Sequence, residues 1–333
     1  MFGYLIKRIL LLIPTLLGIV VITFAIVHLA PGDPAALKAQ SAAEAVATDQ
    51  VSREIVEQTR ILYGLDKPLH VQFGRWLKMV ATLDFGRSYR DHRPVIEKIA
   101  HALPITLTLN ILTILIIYTV SIPLGAYTAT RPRSLVDRAS ALLLFILYSL
   151  PAFWVAMMLI VVLGSGDYLN WFPITGFMSD SAGQLPWYGW VGNVAWHLVL
   201  PVTCLTYGGF AFLSRFCRAS VLEVIRKDYI RTARAKGLSE WRVVVHHALR
   251  NSLIPLLTLM GTLLPALLGG SVIIEQIFSI PGMGRLGFES ILARDYPVIM
   301  AIATISAFLT LVSILITDIM YVIVDPRITF ERR

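Results

Sequence analysis

The chain has 333 residues, 56% of them hydrophobic and only 15% charged, with a formal net charge of +8 and a mean hydropathy of +0.70. A soluble chain of this length is usually two domains, and this composition lies outside that class. The apolar residues fall in long charge-free blocks without the alternation of barrel strands, so the expected class is all-α and polytopic in a membrane.

Six blocks carry no Asp, Glu, Lys or Arg: residues 9–32, 102–130, 139–166, 181–214, 251–274 and 296–317. Each can house a helix of about 20 residues, enough to cross a hydrocarbon core of about 30 Å. Six transmembrane helices are therefore expected, the fourth interrupted by Pro201 and the Gly208-Gly209 pair. The first block follows Lys7-Arg8 as a signal-peptide core would. It is too long for one, and Ala30 precedes Pro31, a poor cleavage junction, so it reads as an uncleaved span.

After that span, Pro31-Gly32-Asp33-Pro34 is a helix-stopping turn. Val51, Ile55 and Thr59, then Leu69, Phe73 and Leu77, recur every fourth residue, which predicts two amphipathic helices joined by a turn at residues 64–68. Residues 164–195 form a second loop. Trp171, Trp187, Trp190 and Trp196 cluster in and beside it, four of the seven tryptophans, and amphipathic rings of this kind anchor at the headgroup layer. Gly261, Pro265 and Gly269 recur every four residues on the fifth helix, a spacing that permits close helix packing in lipid. Beyond it, Pro281, Gly282 and Gly284 force a tight turn. Cys204 and Cys217 lie in the fourth span and near its end, where packing rather than a disulfide is expected.

Lys and Arg placement sets the orientation. The segments 1–8, 131–138 and 215–250 and the C-terminus hold 17, against two in the short loops on the other side, Arg285 and Arg294. Both termini are expected to face the cytoplasm. The positive balance is then a consequence of topology and does not imply a nucleic-acid partner.

From Tyr229 to Pro255 the chain is basic and helix-compatible, broken once by Gly237, between two apolar runs. It is too charged to enter lipid and reads as helix, turn and helix at the membrane surface, with Gly237 supplying a turn that a Cβ would hinder. The segment resembles the cytoplasmic coupling loop of the peptide-type permeases of ABC importers. That loop has a small-residue helix, a Gly four positions after an Ala (here Ala233 and Gly237) and a second helix leading into the next span. The likeness continues through residues 247–251, Asp84-Phe85-Gly86-Arg87-Ser88 and residues 275–286. It covers the chain from Tyr4 to Ile328. The chain is thus similar to the dipeptide/oligopeptide permeases of the DppB and OppB type. It departs from the broader importers at their Glu-Ala-Ala, which is Arg231-Thr232-Ala233 here, and at their Leu-Pro, which is Leu249-Arg250. An acidic contact made by that Glu does not carry over.

The resemblance implies an all-α type I ABC importer permease (MetI-like) fold in the bacterial cytoplasmic (inner) membrane. Its parts would be an N-terminal tail and first helix (1–30), a periplasmic loop (31–101) and a core (102–333) with its coupling loop at 215–250. It also implies a homologous second permease, two cytoplasmic ABC ATPases that bind ATP and Mg, and an extracytoplasmic substrate-binding protein. The chain has no Gly-x-x-x-x-Gly-Lys-Ser/Thr to cradle phosphates, so no cofactor is expected in it, and no metal or catalytic residue. Tyr229, Arg231, Thr232, Ala233, Arg234, Ala235, Lys236, Gly237 and Leu238 are the expected ATPase-coupling residues. Swinging a two-state pore nearly completely takes a bias of about 5.5 kcal/mol, which a packed helix can transmit and a loose loop cannot. Asp84, Arg87, Glu275 and Arg285 are expected to contact the binding protein, and Asn110, Ser149 and Pro151 to line the pathway. Dipeptides or oligopeptides are the expected substrates; nickel complexes or glutathione are the alternatives within the family.

Two other classes fare worse. An ion-coupled secondary transporter wants ionisable groups deep in its spans, and Asp318, near one end of the last, is the sole candidate. A membrane protease wants His-Glu-x-x-His, and the adjacent His246-His247 pair cannot form a helix-face metal site with Glu240.

Overall fold

The computed structural model describes residues 2–30, 32, 35, 49–164, 168–252 and 270–324. Apart from loops, these residues are helical. In chain order they form α1 (Phe2–Leu29), α2 (Asp49–Tyr63), α3 (Leu69–Thr82), α4 (Val95–Thr130), α5 (Leu135–Ser149) and α6 (Ala152–Leu163). There follow α7 (Trp187–Val224), α8 (Asp228–Ala235), α9 (Glu240–Arg242, continuing as π-helical turns over Val243–Leu249), α10 (Val272–Ile277), α11 (Met283–Leu292) and α12 (Tyr296–Val324).

Among the described residues, α1, α4, α7 and α12 are long and apolar enough to cross a membrane, and α5 with α6 makes a fifth candidate bent by 95°. These correspond to the first, second, fourth, sixth and third charge-free blocks. Most of the fifth block, with its Gly261, Pro265 and Gly269, lies outside the described residues, as does Pro255.

The bend in the third span has a local cause. Pro151 ends α5, since the residue before a proline is driven out of helical geometry: Leu150 is extended at ψ 127°. The carbonyl of Leu150, left without a helical partner, accepts a 2.7 Å hydrogen bond from the Tyr207 hydroxyl of α7. Ser134 caps the other end of α5, accepting from the Asp137 amide at 3.2 Å.

Pro201, by contrast, does not interrupt the fourth span. α7 is one helix of 38 residues, about 57 Å at 1.5 Å per residue. Pro201 and its neighbours Leu198, Leu200 and Val202 are buried, so packing offsets the one backbone bond a proline removes. The helix also passes the end of its charge-free block, and the connecting segment expected from residue 215 begins only at Ile225.

α4 and α7 form the central pair, and they touch almost backbone to backbone. A Cβ built on Gly125 would stand 2.7 Å from the Ser214 carbonyl oxygen, 2.8 Å from the Cys217 Cβ and 3.0 Å from the Arg218 amide. Ser121, Gly125 and Ala129 are all buried on α4 at spacings of four, a small-residue stripe that lets two helices approach. Beside this crossing, Arg218 of α7 pairs with Asp137 of α5 at 2.8 Å. α1 runs along α12, and Arg8 joins Asp318 at 2.8 Å, so that carboxylate is held in an ion pair.

Candidate functional site

The basic segment is a packed hairpin. α8 buries Ile230 (0% exposed) and Ala233 against Ala126 and Ala129 of α4 and Cys217 and Val221 of α7, with Val243 and Ala248 closing the cluster. Positions 230 and 233 share one helix face, so the remaining face is free: Tyr229, Arg231, Thr232, Arg234, Ala235, Lys236 and Gly237 are all exposed, and Leu238 is half-buried.

Gly237 ends α8 in the left-handed region at φ +78°. The Gly237 amide donates to the Arg234 carbonyl at 2.9 Å and the Leu238 amide to that of Ala233 at 3.4 Å, which is the Schellman arrangement. Nothing lies within 4 Å of a Cβ built at Gly237. Its glycine is therefore required by backbone conformation, not by lack of room. Across the turn Arg234 grips Glu240 with two bonds, Nε to Oε1 at 2.7 Å and Nη2 to Oε2 at 3.2 Å. Asn251 Nδ2 donates to the Tyr229 hydroxyl at 3.0 Å, tying the two arms again. Arg234 and Tyr229 are among the expected coupling residues; their partners Glu240 and Asn251 are not. The second arm departs from a plain α-helix: Val243–Leu249 is π-helical, a form concentrated at functional sites.

The opposite, capped end is built on α2 and α3: α3 packs on α1 and α12, and α2 is tied to the loop after α3 by the Tyr63 hydroxyl, which donates to the Tyr89 carbonyl at 2.8 Å. Phe24 meets Phe73 at a ring separation of 5.1 Å, and Trp76, Phe85 and Val95 join the same core. The loop after α3 is tied to the start of α12 through buried Asp295, whose carboxylate accepts from the Ser88 hydroxyl and, at 2.9 Å, from the Tyr89 amide. Glu289 of α11 binds Arg285 at 2.8 Å and Arg90 at 3.0 Å. The hydrogen bond from Arg285, above all, and that from Arg90 hold the Glu289 carboxyl below the usual range despite its partial burial.

Of the four residues expected to meet a binding protein, Asp84 and Arg87 are exposed and Arg285 is half-buried. Glu275 must be corrected: it is 0% exposed and has no surface to offer a partner. Its carboxylate accepts from the Thr106 hydroxyl (3.1 Å), the Ser271 amide (3.3 Å) and the Arg285 amide (2.9 Å). A Cβ on Gly270, Gly282 or Gly284 would fall within 3.0 Å of that carboxylate. Gly270 and the two glycines of the turn thus wrap a buried carboxyl group, which in the sequence looks like a surface charge beside a turn. Glu275→Ala is expected to destabilise the chain by about 2–4 kcal/mol, since several donors lose their acceptor. Glu275→Gln should lose less. Thermal unfolding of the two variants in detergent checks the order.

The three candidate pathway residues differ in exposure. Ser149 and Pro151 are exposed at the α5–α6 bend, while Asn110 is half-buried on α4. Trp171, Trp187, Trp190 and Trp196 are between 40% and 79% exposed, as an aromatic belt requires.

A bent-span helical bundle, a helical cap at one end and a glycine-capped basic hairpin at the other define a membrane subunit of a transport assembly. The sequence comparisons agree. Residues 121–330 match the binding-protein-dependent transport system inner membrane component family, and residues 1–110 match the N-terminal region of such membrane components. The oligopeptide transport system permease protein AppB of Bacillus subtilis (strain 168) is 42% identical over 99% of this chain and 100% of its own. The inner membrane ABC transporter permease protein YejB of Escherichia coli O157:H7 is 37% identical, again over 99% and 100%. The peptidoglycan transport system permease protein YejB of Agrobacterium fabrum (strain C58 / ATCC 33970) is 34% identical over 99% of each chain. A solved inward-facing structure of the MetNI methionine ABC transporter matches 69% of this chain and 97% of its own at 16% identity and a TM-score of 0.49. The chain belongs to the binding-protein-dependent transport system inner membrane component family. It is a multi-pass ABC importer permease, a transport subunit and not an enzyme.

Proposed function

We propose that this permease carries di- or oligopeptides and that its basic hairpin receives the stroke of an ATPase. The substrate class is supported by the relatives, whose names assign oligopeptides to one and peptidoglycan to another. Nickel complexes and glutathione are second to it, since the names of relatives point to peptides. In this reading a homologous second permease completes the pathway and two ATPase subunits, carrying ATP and Mg, lie under the hairpin. A substrate-binding protein docks on the capped end, where Asp84, Arg87 and Arg285 are accessible. The hairpin end and both termini face the cytoplasm, as the Lys/Arg bias requires.

One observation carries the coupling role: the hairpin is packed directly on the central helix pair. Ile230 and Ala233 are packed on α4 and α7, and the arms are clamped by Arg234 and Glu240. A push on the exposed face of α8 moves those spans without first deforming a loop.

Within α8, docking and folding can be probed at different positions. Ala235 is exposed and Ala233 buried, so bulk at 235 should block a partner while bulk at 233 overpacks the core. Ala235→Trp is expected to leave the chain folded and inserted but to abolish substrate-stimulated ATP hydrolysis in the reconstituted complex. Full stimulation in that variant would remove α8 from the coupling surface.

A further inference from the structure

A cavity of about 400 Å³ lies at the capped end, between the helical cap and the outermost turns of α1 and α12. That is within the range of small-molecule sites, about 300–1,000 Å³. Its chemistry is one-sided. Among the described residues, Arg75 and Trp76 of α3 and Arg87 of the following loop line it, and no Asp or Glu does; Arg87 Nη1 also donates to the His92 carbonyl at 3.0 Å. Phe24 of α1, Met79 of α3 and Met300 of α12 supply an apolar wall.

Two further observations point to a missing acceptor. Trp76 is only 3% exposed, and its indole N–H has no hydrogen-bond partner among the described residues. A buried donor left so costs about 1–3 kcal/mol. Gly64, itself in the cavity wall at φ +68°, makes room for the Arg75 guanidinium: a Cβ there would stand 2.5 Å from Nη1. The stacked rings of Tyr63 and Tyr89, 3.8 Å apart and 4° from parallel, give the site a stiff side.

Position narrows the ligand. His28 and Pro297, which also line the cavity, stand near the ends of the first and last charge-free blocks. The site therefore opens at the level of the lipid headgroups. We propose that this cavity binds an anionic amphiphile, its oxyanion head met by Arg75, Arg87 and the Trp76 N–H and its apolar part lying along Phe24, Met79 and Met300. The shared chemistry has two sources, an anionic phospholipid of that leaflet or the carboxylate end of a short peptide.

The test uses the full-length chain in phosphatidylcholine nanodiscs containing a photoactivatable phosphatidylglycerol, with a photoactivatable tripeptide in a parallel arm. Labelled peptides are mapped by mass spectrometry. Labelling within residues 60–92 is expected in at least one arm, reduced about tenfold by Arg75→Glu, because a charge-assisted contact is lost. Trp76→Phe should reduce it about fivefold, the effect of one hydrogen bond. Arg75 is exposed, so its replacement spares the core, and Phe keeps an aromatic ring at the buried position 76; thermal unfolding of both variants beside the parent confirms that each is folded. Labelling by the lipid alone or by the peptide alone assigns the source, and either supports the site. No labelling in both arms, equal labelling by a photoactivatable phosphatidylcholine, or indifference to both substitutions overturns it. The readout is binding, so it stands or falls separately from peptide transport.

Discussion

Gly125→Leu is expected to yield no folded permease, and Gly125→Ala a protein measurably less stable. At this point α4 and α7 meet with the first side-chain atom of residue 125 placed 2.7 Å from a backbone oxygen and 3.0 Å from a backbone nitrogen. A backbone obstacle cannot swing away as a rotamer can, so the whole crossing must open. Overpacking of this kind costs about 1–3 kcal/mol for a small excess and more for a large one. The effect should spread, because the hairpin cluster built on Ala126, Ala129, Cys217 and Val221 sits on the same two helices. Gly208→Ala is the matched control. It lies in α7, nothing is within 4 Å of its built Cβ, and replacing a helical glycine gains about 1 kcal/mol of propensity. Thermal unfolding of the purified proteins, with yield as a second readout, should rank Gly208→Ala at or above the parent and Gly125→Ala clearly below it.

The second large effect is expected at Gly237. Proline fixes φ near −65°, far from the +78° found here, and it lacks the N–H that bonds the Arg234 carbonyl. Gly237→Pro should therefore redirect the second arm and abolish uptake, while α7 and α12 still insert. Gly237→Ala meets no atom within 4 Å and pays only the left-handed backbone cost, about 1–2 kcal/mol. It should retain partial uptake. The pair distinguishes conformation from bulk: equal loss in both variants would mean that the surface at 237, not the turn, is what matters. Uptake in whole cells, with membrane levels measured in parallel, reads both.

Much of this was legible in the sequence where a single physical rule acts alone. Charge-free length marked α1, α4, α7 and α12, and apolar spacing of four marked α2 and α3. The Gly237 turn followed from one glycine in a basic segment. What was not legible depended on neighbours. Pro151 and Pro201 both lie in apolar blocks, yet only the first breaks its span. Tyr207 of another helix satisfies the broken end there, whereas the region of Pro201 is buried and packed. Glu275 and Arg285 look alike as charges beside a turn, and only the fold shows three glycines closing over one of them. The stripe of Ser121, Gly125 and Ala129 has the same spacing as Gly261, Pro265 and Gly269 on the fifth helix, so its signal is present in the sequence. The partners Glu240 and Asn251 could not be chosen from sequence, because many polar residues are near enough in the chain to pair.

Whether α8 is the face that meets the energy source can be tested with one thiol. Cys204 and Cys217 are free and buried, so a cysteine placed at exposed Ala235 would be the accessible thiol among the described residues. In the assembled transporter Ala235→Cys is predicted to cross-link to an ATPase subunit and, in right-side-out vesicles, to resist a membrane-impermeant maleimide. Ready labelling of position 235 from outside, with no cross-link to any ATPase, would contradict the account.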